Sequence, residues 1–130
     1  MNLAERLKRH SDFCSGLPGG VRFDAPGEDL NWANLNCANL SDANLNCATG
    51  NMREIKTSQF DQWGITWTRS PEGIDYLQIG CQRHQLEKWK NADPRWITAM
   101  DPAAPEWWEK YGQFTIQMVE LSPAVAWGHD

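Results

Sequence analysis

The chain has 130 residues, a formal net charge of −5 at pH 7 and eight tryptophans. This length suffices for one domain with a modest core. The acidic balance argues against direct binding to nucleic acid, because phosphate recognition needs clustered basic side chains. No stretch is apolar enough to cross a membrane and the N-terminus lacks a secretory apolar core, so we expect a cytoplasmic protein with no membrane partner.

An amphipathic helix is predicted at the start of the chain, over residues 2–15, ending near Gly16. One face carries four residues at helical spacing: Leu3, Leu7, His10 and Cys14. A histidine on such a face is more often packed and hydrogen-bonded than a metal ligand. We expect this N-terminal unit, residues 1–20, to cover one end of the segment that follows.

Residues 21–58 contain a five-residue repeat, in which leucine recurs at a step of five from Leu30 to Leu45 and alanine recurs at the same step from Ala33 to Ala48. A step of five fits neither an α-helix nor a flat strand. It predicts a coiled chain whose large and small side chains alternate in a narrow interior. The predicted interior residues are Leu30, Ala33, Leu35, Ala38, Leu40, Ala43, Leu45 and Ala48.

The run Ala33-Asn34-Leu35, repeated as Ala38-Asn39-Leu40 and Ala43-Asn44-Leu45, resembles the pentapeptide-repeat family, whose pattern is Ala-(Asp/Asn)-Leu-x-x. The resemblance implies a right-handed quadrilateral β-helix with leucine and alanine inside. The clean register covers about one coil, whereas a solenoid needs about three stacked units to be stable. We therefore expect the N-terminal helix and the chain after Asn51 to close its two ends.

The C-terminal module, residues 59–130, is predicted to hold a β-hairpin and two or three helices, which makes the fold class α+β in one compact unit. The preceding residues 53–57 are expected to continue the sheet surface of the coil. The predicted strands are 65–69 and 74–79, and the predicted helices are 85–90, 94–100 and 105–121. The core stripe expected on the last helix is Trp107, Tyr111, Phe114, Met118 and Leu121.

This module carries a second resemblance. The run Gln78-Ile79-Gly80-Cys81-Gln82-Arg83-His84, followed by Glu87-Lys88-Trp89 and by Trp107-Trp108, is similar to a module of small phage and prophage proteins that often follows a short pentapeptide repeat. The resemblance implies a phage protein acting in the cytoplasm of a bacterial host. It implies no catalytic chemistry.

Cys81 and His84 are the weak candidates for a metal or thiol site. Two ligands do not complete a zinc site, and spacing alone does not bring a thiol and an imidazole into hydrogen-bond contact. A structural cysteine beside a helix-start histidine is the favoured interpretation, so we expect no catalytic residue, no metal and no cofactor. All four cysteines are predicted to be free thiols. The repeat geometry supports this for Cys37 and Cys47, because they are ten residues apart, on opposite sides of a four-sided coil.

Two tryptophans are predicted to lie away from the interior. Trp32 falls in an outward phase of the repeat. Trp107 and Trp108 point about 100° apart on a helix, so Trp108 should flank the core stripe and is a candidate partner contact. The candidate partner-binding acids lie in residues 23–52, which carry no Lys or Arg: Asp24, Glu28, Asp29 and Asp42.

These features favour a non-catalytic phage-type interaction protein that binds and inhibits a host nucleic-acid-acting or defence complex, such as a CRISPR effector. Inhibition could proceed by steric blocking or by DNA mimicry, in which the acids imitate a phosphate backbone. Two alternatives remain open: a metal or thiol enzyme centred on Cys81 and His84, and a structural module that forms a homodimer.

Overall fold

The computed structural model describes residues 1–31, 33–35, 38–41, 43–46 and 48–128. These residues form four helices and one four-stranded sheet, which confirms the predicted α+β class. The elements are α1 (Leu3–Cys14), β1 (Lys56–Phe60), β2 (Trp63–Arg69), β3 (Asp75–Ile79), β4 (Gln82–Gln85), α2 (Leu86–Lys90), α3 (Pro94–Met100) and α4 (Ala104–Leu121). None of the described helices is long and apolar enough to cross a membrane.

The sheet is an antiparallel meander in the order β1-β2-β3-β4. Strands β2 and β3 form the predicted hairpin, and Gly73 adopts a φ of 85° in its turn. The expectation that residues 53–57 extend the coil was wrong for Lys56 and Thr57, which pair with Trp67 and Thr66 in β2. The pattern of side chains in residues 53–57 does not distinguish pairing with the coil from pairing with β2.

The sheet separates two cores because its two faces carry different side chains. Ile65 and Leu77 are buried on the face that packs against α2, α3 and α4. Thr66 and Gln78 are buried on the opposite face, where the Thr66 hydroxyl donates to the Leu45 carbonyl at 3.2 Å. Alternate residues of a strand point to opposite faces, so one sheet supports both layers.

We call residues 23–50 the repeat segment. Parallel bridges pair Asp24 with Asn44 and Asp29 with Thr49, so the chain returns beside itself after 20 residues, or four steps of five. A backbone hydrogen bond of 2.9–3.3 Å recurs at the same step, each time from an alanine N–H to the carbonyl of the leucine three residues earlier. These pairs are Ala33–Leu30, Ala38–Leu35, Ala43–Leu40 and Ala48–Leu45.

The interior of the repeat segment is apolar. Of the eight predicted interior residues, seven are buried, while Ala33 is half-buried and packs against the others. Phe23, Ala25 and Ile55 are buried in the same cluster. Closely packed leucine and alanine side chains stabilise this segment through the apolar area they remove from water.

Helix α1 packs against the repeat segment. Asn2 caps its N-terminus by accepting from the Glu5 N–H at 2.9 Å. His10 is fully buried: its Nδ1 accepts from the Phe23 N–H at 2.8 Å, and its Nε2 lies 2.7 Å from the Ser41 carbonyl oxygen. These contacts fix the proton on Nε2 and join the helix to two points of the repeat segment.

The repeat segment ends against Ile55. Gly50 leaves no room for a side chain, because a Cβ there would clash with the Ile55 carbonyl. The buried Asn51 side chain accepts from the N–H groups of Arg53 and Ile55 at 3.1 and 3.0 Å, and it donates to the Ala33 carbonyl at 3.1 Å. Asn51 therefore satisfies backbone groups on both sides of this end.

Helix α4 corrects the predicted core stripe. Trp107 is buried and Tyr111 and Met118 are half-buried, but Phe114 and Leu121 are 55% and 85% exposed. The buried arc contains five residues that the predicted stripe left out, and the largest of them are Ile116 and Val119. Its centre lies near the fully buried Thr115, about 100° round the helix from Phe114.

Candidate interaction surface

The most exposed apolar side chains of the C-terminal half lie around the end of α4. Leu121 follows Phe114 by two helical turns on one face. Val125 lies four residues further on, and its N–H donates to the carbonyl of Arg53, the residue after Met52, at 2.8 Å. We call Met52, Phe114, Leu121 and Val125 the apolar patch; all four are exposed.

Met52 adds a backbone feature to the apolar patch. Its φ is 69°, in the left-handed region that residues with a side chain rarely adopt. Its side chain is 57% exposed, and its N–H donates to the Ile55 carbonyl at 3.1 Å. A tight turn that presents a large apolar side chain to solvent is a feature of functional surfaces.

Of the four acids predicted to bind a partner, Glu28 is engaged within the chain. Both its carboxylate oxygens accept from the Arg6 guanidinium at 2.7 Å. These hydrogen bonds lower the pKa of Glu28 below its ordinary value and raise the pKa of Arg6. A partner cation at Glu28 would have to compete with this bidentate pair.

Asp24 and Asp29 lie on successive five-residue steps of the repeat segment, and both accept hydrogen bonds within it. The Asp24 carboxylate accepts from the Asn44 amide at 2.6 Å, and the Asp29 carboxylate accepts from the Asn31 N–H at 2.9 Å. The second contact is an Asx turn, a local device that shapes the backbone. Asp42 lies outside the described residues.

Trp108 belongs to a cluster of aromatic side chains between the sheet and the helices. It is half-buried, and its ring stacks on that of Trp89 at a centroid distance of 5.4 Å. Gly112 lies under it, since a Cβ there would come within 2.7 Å of the indole. Trp108 thus lies at the edge of the aromatic cluster, partly exposed to solvent. Trp32 lies outside the described residues.

Cys81 and His84 occupy different surroundings. Cys81 is exposed in the turn between β3 and β4, where its thiol is free. The His84 ring packs edge-on against Trp89 and Trp96 at 5.6 and 4.9 Å, and its Nε2 lies 3.1 Å from the Gln82 amide oxygen. Burial, followed by the positive charges of Lys88 and Arg83, lowers the pKa of His84.

No set of three or more His, Cys, Asp or Glu side chains among the described residues could hold a metal ion. The first cysteine of the chain, Cys14, is exposed on α1 with its sulfur 3.5 Å from His10 Nε2. Cys37, Cys47 and His129 lie outside the described residues, so the predicted divergence of Cys37 and Cys47 stays a prediction.

The comparisons with known proteins add no relative: no protein-family model, no curated protein and no solved structure matches this chain. Sequence reasoning missed the apolar patch, because it assigned Phe114 and Leu121 to the core. A signal was present in the sequence, since Ile116 and Val119 define a second apolar arc on α4 that cannot be buried together with Leu121.

Proposed function

We propose that this chain is a non-catalytic interaction protein that binds a host protein complex acting on nucleic acids or in defence, such as a CRISPR effector, and inhibits it. The observation that carries the proposal is the apolar patch. The class of partner comes from the resemblance of residues 78–108 to a module of phage proteins, and it is part of the proposal.

The apolar patch is suited to a protein partner because of its residue types and its support. Large apolar side chains that cluster in the open are typical of interaction sites. Phe114 is held from beneath by the edge of the Phe60 ring at 5.4 Å. The end of α4 is anchored by Ser122, which accepts from Lys56 Nζ at 2.6 Å and, through its carbonyl, from the Trp67 indole at 2.8 Å. A supported surface loses little conformational entropy on binding.

Steric blocking fits this surface better than DNA mimicry. Mimicry needs many unpaired acids spaced along one face, as phosphates are along a duplex. Glu28 is paired with Arg6, and Asp24 and Asp29 accept hydrogen bonds that shape the repeat segment. Each of the three acids described in the repeat segment is therefore already engaged within the chain. Mimicry would require acids of the helical layer, which is formed by α2, α3 and α4.

The scaffold of this surface, we further propose, is a single right-handed coil of a quadrilateral pentapeptide β-helix. Two features support it: the 20-residue separation of the two parallel bridges, and the alanine-to-leucine hydrogen bond that recurs every five residues. Helix α1 and the segment around Ile55 would then close the two ends. A single coil needs such caps because it buries too little by itself.

The experiment compares two variants that add one carboxylate each to α4. Leu121→Glu alters the apolar patch, whereas Gln113→Glu changes an exposed side chain eight residues earlier, about 80° round the helix from Leu121. Wild type and both variants serve as bait in a bacterial lysate, and the captured complex is purified and assayed for its nucleic-acid-dependent activity. We expect wild type and Gln113→Glu to bind and inhibit it, and Leu121→Glu to do neither.

Three outcomes would contradict parts of the proposal. If purified wild type binds no complex, or binds one without inhibiting it, the inhibitor function is wrong. If DNA competes for the partner and salt weakens binding while Leu121→Glu still inhibits, DNA mimicry replaces steric blocking. If light scattering shows a dimer that Leu121→Glu dissociates, the apolar patch is covered by a second copy.

A further inference from the structure

A small cavity lies between the sheet and the helices, where the β3–β4 turn meets α3 and α4. Its volume is about 80 Å³, several times the ~10–15 Å³ that one water needs. Four tryptophans line it: Trp63, Trp89, Trp107 and Trp108. Cys81 and Asp101, both exposed, lie at its rim.

The walls of this cavity are held in place. The indole N–H of Trp89 donates to the Leu77 carbonyl and that of Trp107 to the Phe60 carbonyl, each at 2.8 Å. Trp63 meets Trp107 edge-on at 5.7 Å, with the two ring planes at 61°. Trp108 is pressed between Trp89 and the bare backbone of Gly112. Fixed rings cannot collapse to fill the space, so it is available to a ligand.

The charge that lines the cavity is negative. Of the described residues that line it, only Asp101 is charged. Its carboxylate accepts one backbone hydrogen bond, from the Ala103 N–H at 2.8 Å, and remains exposed on its other side. Indole faces attract cations more strongly than other aromatic rings do, and a carboxylate at the rim adds to that attraction.

We propose that this cavity binds a compact organic cation, a trimethylammonium group. The cavity of about 80 Å³ has room for several waters and therefore for a small branched head group. A trimethylammonium carries its charge under an apolar surface, so it loses little hydration when it enters an aromatic site. A bare lysine ammonium is more strongly hydrated and fits such walls less well.

The first arm of the test compares choline with 3,3-dimethyl-1-butanol, which has the same shape but carbon in place of the charged nitrogen. Binding is followed through the eight indole N–H signals in nuclear magnetic resonance spectra. We expect choline to shift the signals of the four lining tryptophans saturably and to leave those of Trp96 and Trp127 in place. The neutral isostere should bind at least ten-fold more weakly.

The second arm changes the rim charge. Asp101→Asn should weaken choline binding about two- to five-fold, the range of an exposed ion pair, while Glu72→Gln, in the exposed turn after β2, should not change it. Both sites are on the surface, so both variants are expected to fold. A short peptide with one trimethyllysine then separates the sources: tighter binding than choline assigns the site to a modified protein, and weaker binding to a free small molecule.

Three results would overturn the proposal: no saturable shift with choline, equal binding of the neutral isostere, or shifts centred on Trp96 or Trp127 instead of the four lining rings. Equal binding would make the cavity an apolar site that selects shape alone.

Discussion

The repeat segment and the helical layer bury their side chains by different rules. In the repeat segment, the leucines that recur at a step of five are buried in one cluster, so one step predicts all four of these positions. In the helical layer, Trp89, Trp107 and Trp108 each have different neighbours. In a repeat, the buried positions can therefore be predicted from the sequence, whereas in a core without a repeat they depend on how the elements pack.

The largest expected effect tests the interior of the repeat segment. Leu40 is 1% exposed, so Leu40→Ala should lower the free energy of unfolding by ~2–5 kcal/mol through lost burial and the cavity left behind. Urea unfolding followed by tryptophan fluorescence measures this change.

The matched control is the same substitution in the helical layer. Leu121 is 85% exposed, so Leu121→Ala should change the free energy of unfolding by no more than ~0.5 kcal/mol. Equal losses for the two variants would mean that Leu121 is covered in solution and that the apolar patch is not available to a partner.

The parts of the fold that could be predicted from the sequence are those with a strong local pattern. The α3 boundary followed from Asp93, whose side chain accepts from the Arg95 N–H at 2.7 Å, and from Pro94 in the first helical position. The β2–β3 hairpin followed from its β-branched residues and the turn at Gly73.

The rest could not be predicted because it depends on contacts distant in sequence. The pairing of Lys56 with Trp67 is chosen by the sheet, not by residues 53–57. Helix α4 carries two apolar arcs, and the sequence alone does not say which of them the sheet and the neighbouring helices cover. For the candidate site, composition placed acids in the repeat segment, but the Arg6–Glu28 pair that engages one of them spans 22 residues.

A second prediction compares two glycines that differ in what opposes a side chain. Gly50→Ala should lower the free energy of unfolding by ~1–3 kcal/mol, because the Ile55 backbone cannot move aside without disturbing the end of the repeat segment. Gly112→Ala should cost less, because the ~1 kcal/mol of helix propensity that alanine gains offsets part of the clash with the Trp108 indole. Thermal unfolding of the two variants gives the comparison.

The reverse order, with Gly112→Ala the more damaging, would show that the aromatic cluster is less tolerant than the end of the repeat segment. It would also show that the Trp108 ring is fixed, which strengthens the argument that the neighbouring cavity cannot collapse.

The smallest expected effects separate the two regions by pH. On strand β4, where the His84 ring packs against Trp89 of α2 and Trp96 of α3, burial lowers the pKa of His84, so the folded state resists protonation. Its contribution is complete above the ordinary pKa of 6.5 and is lost as the pH falls from there through the lower folded value. In the repeat segment, the pKa of Glu28 is lowered from its ordinary 4.5. The stability that its pair with Arg6 contributes is therefore complete above pH 4.5 and is lost as the pH falls from 4.5 through the lower folded pKa.

Thermal midpoints measured from pH 8 to pH 3 resolve these two losses. His84→Phe keeps an aromatic ring against Trp89 and Trp96 but does not titrate, so it should remove the loss that begins near pH 6.5. Glu28→Gln should remove only the loss below pH 4.5, and by no more than ~1 kcal/mol because the pair is partly exposed. If His84→Phe leaves the profile between pH 7 and 5 unchanged, the imidazole is equally solvated in both states, and its packing between the tryptophans does not govern its protonation.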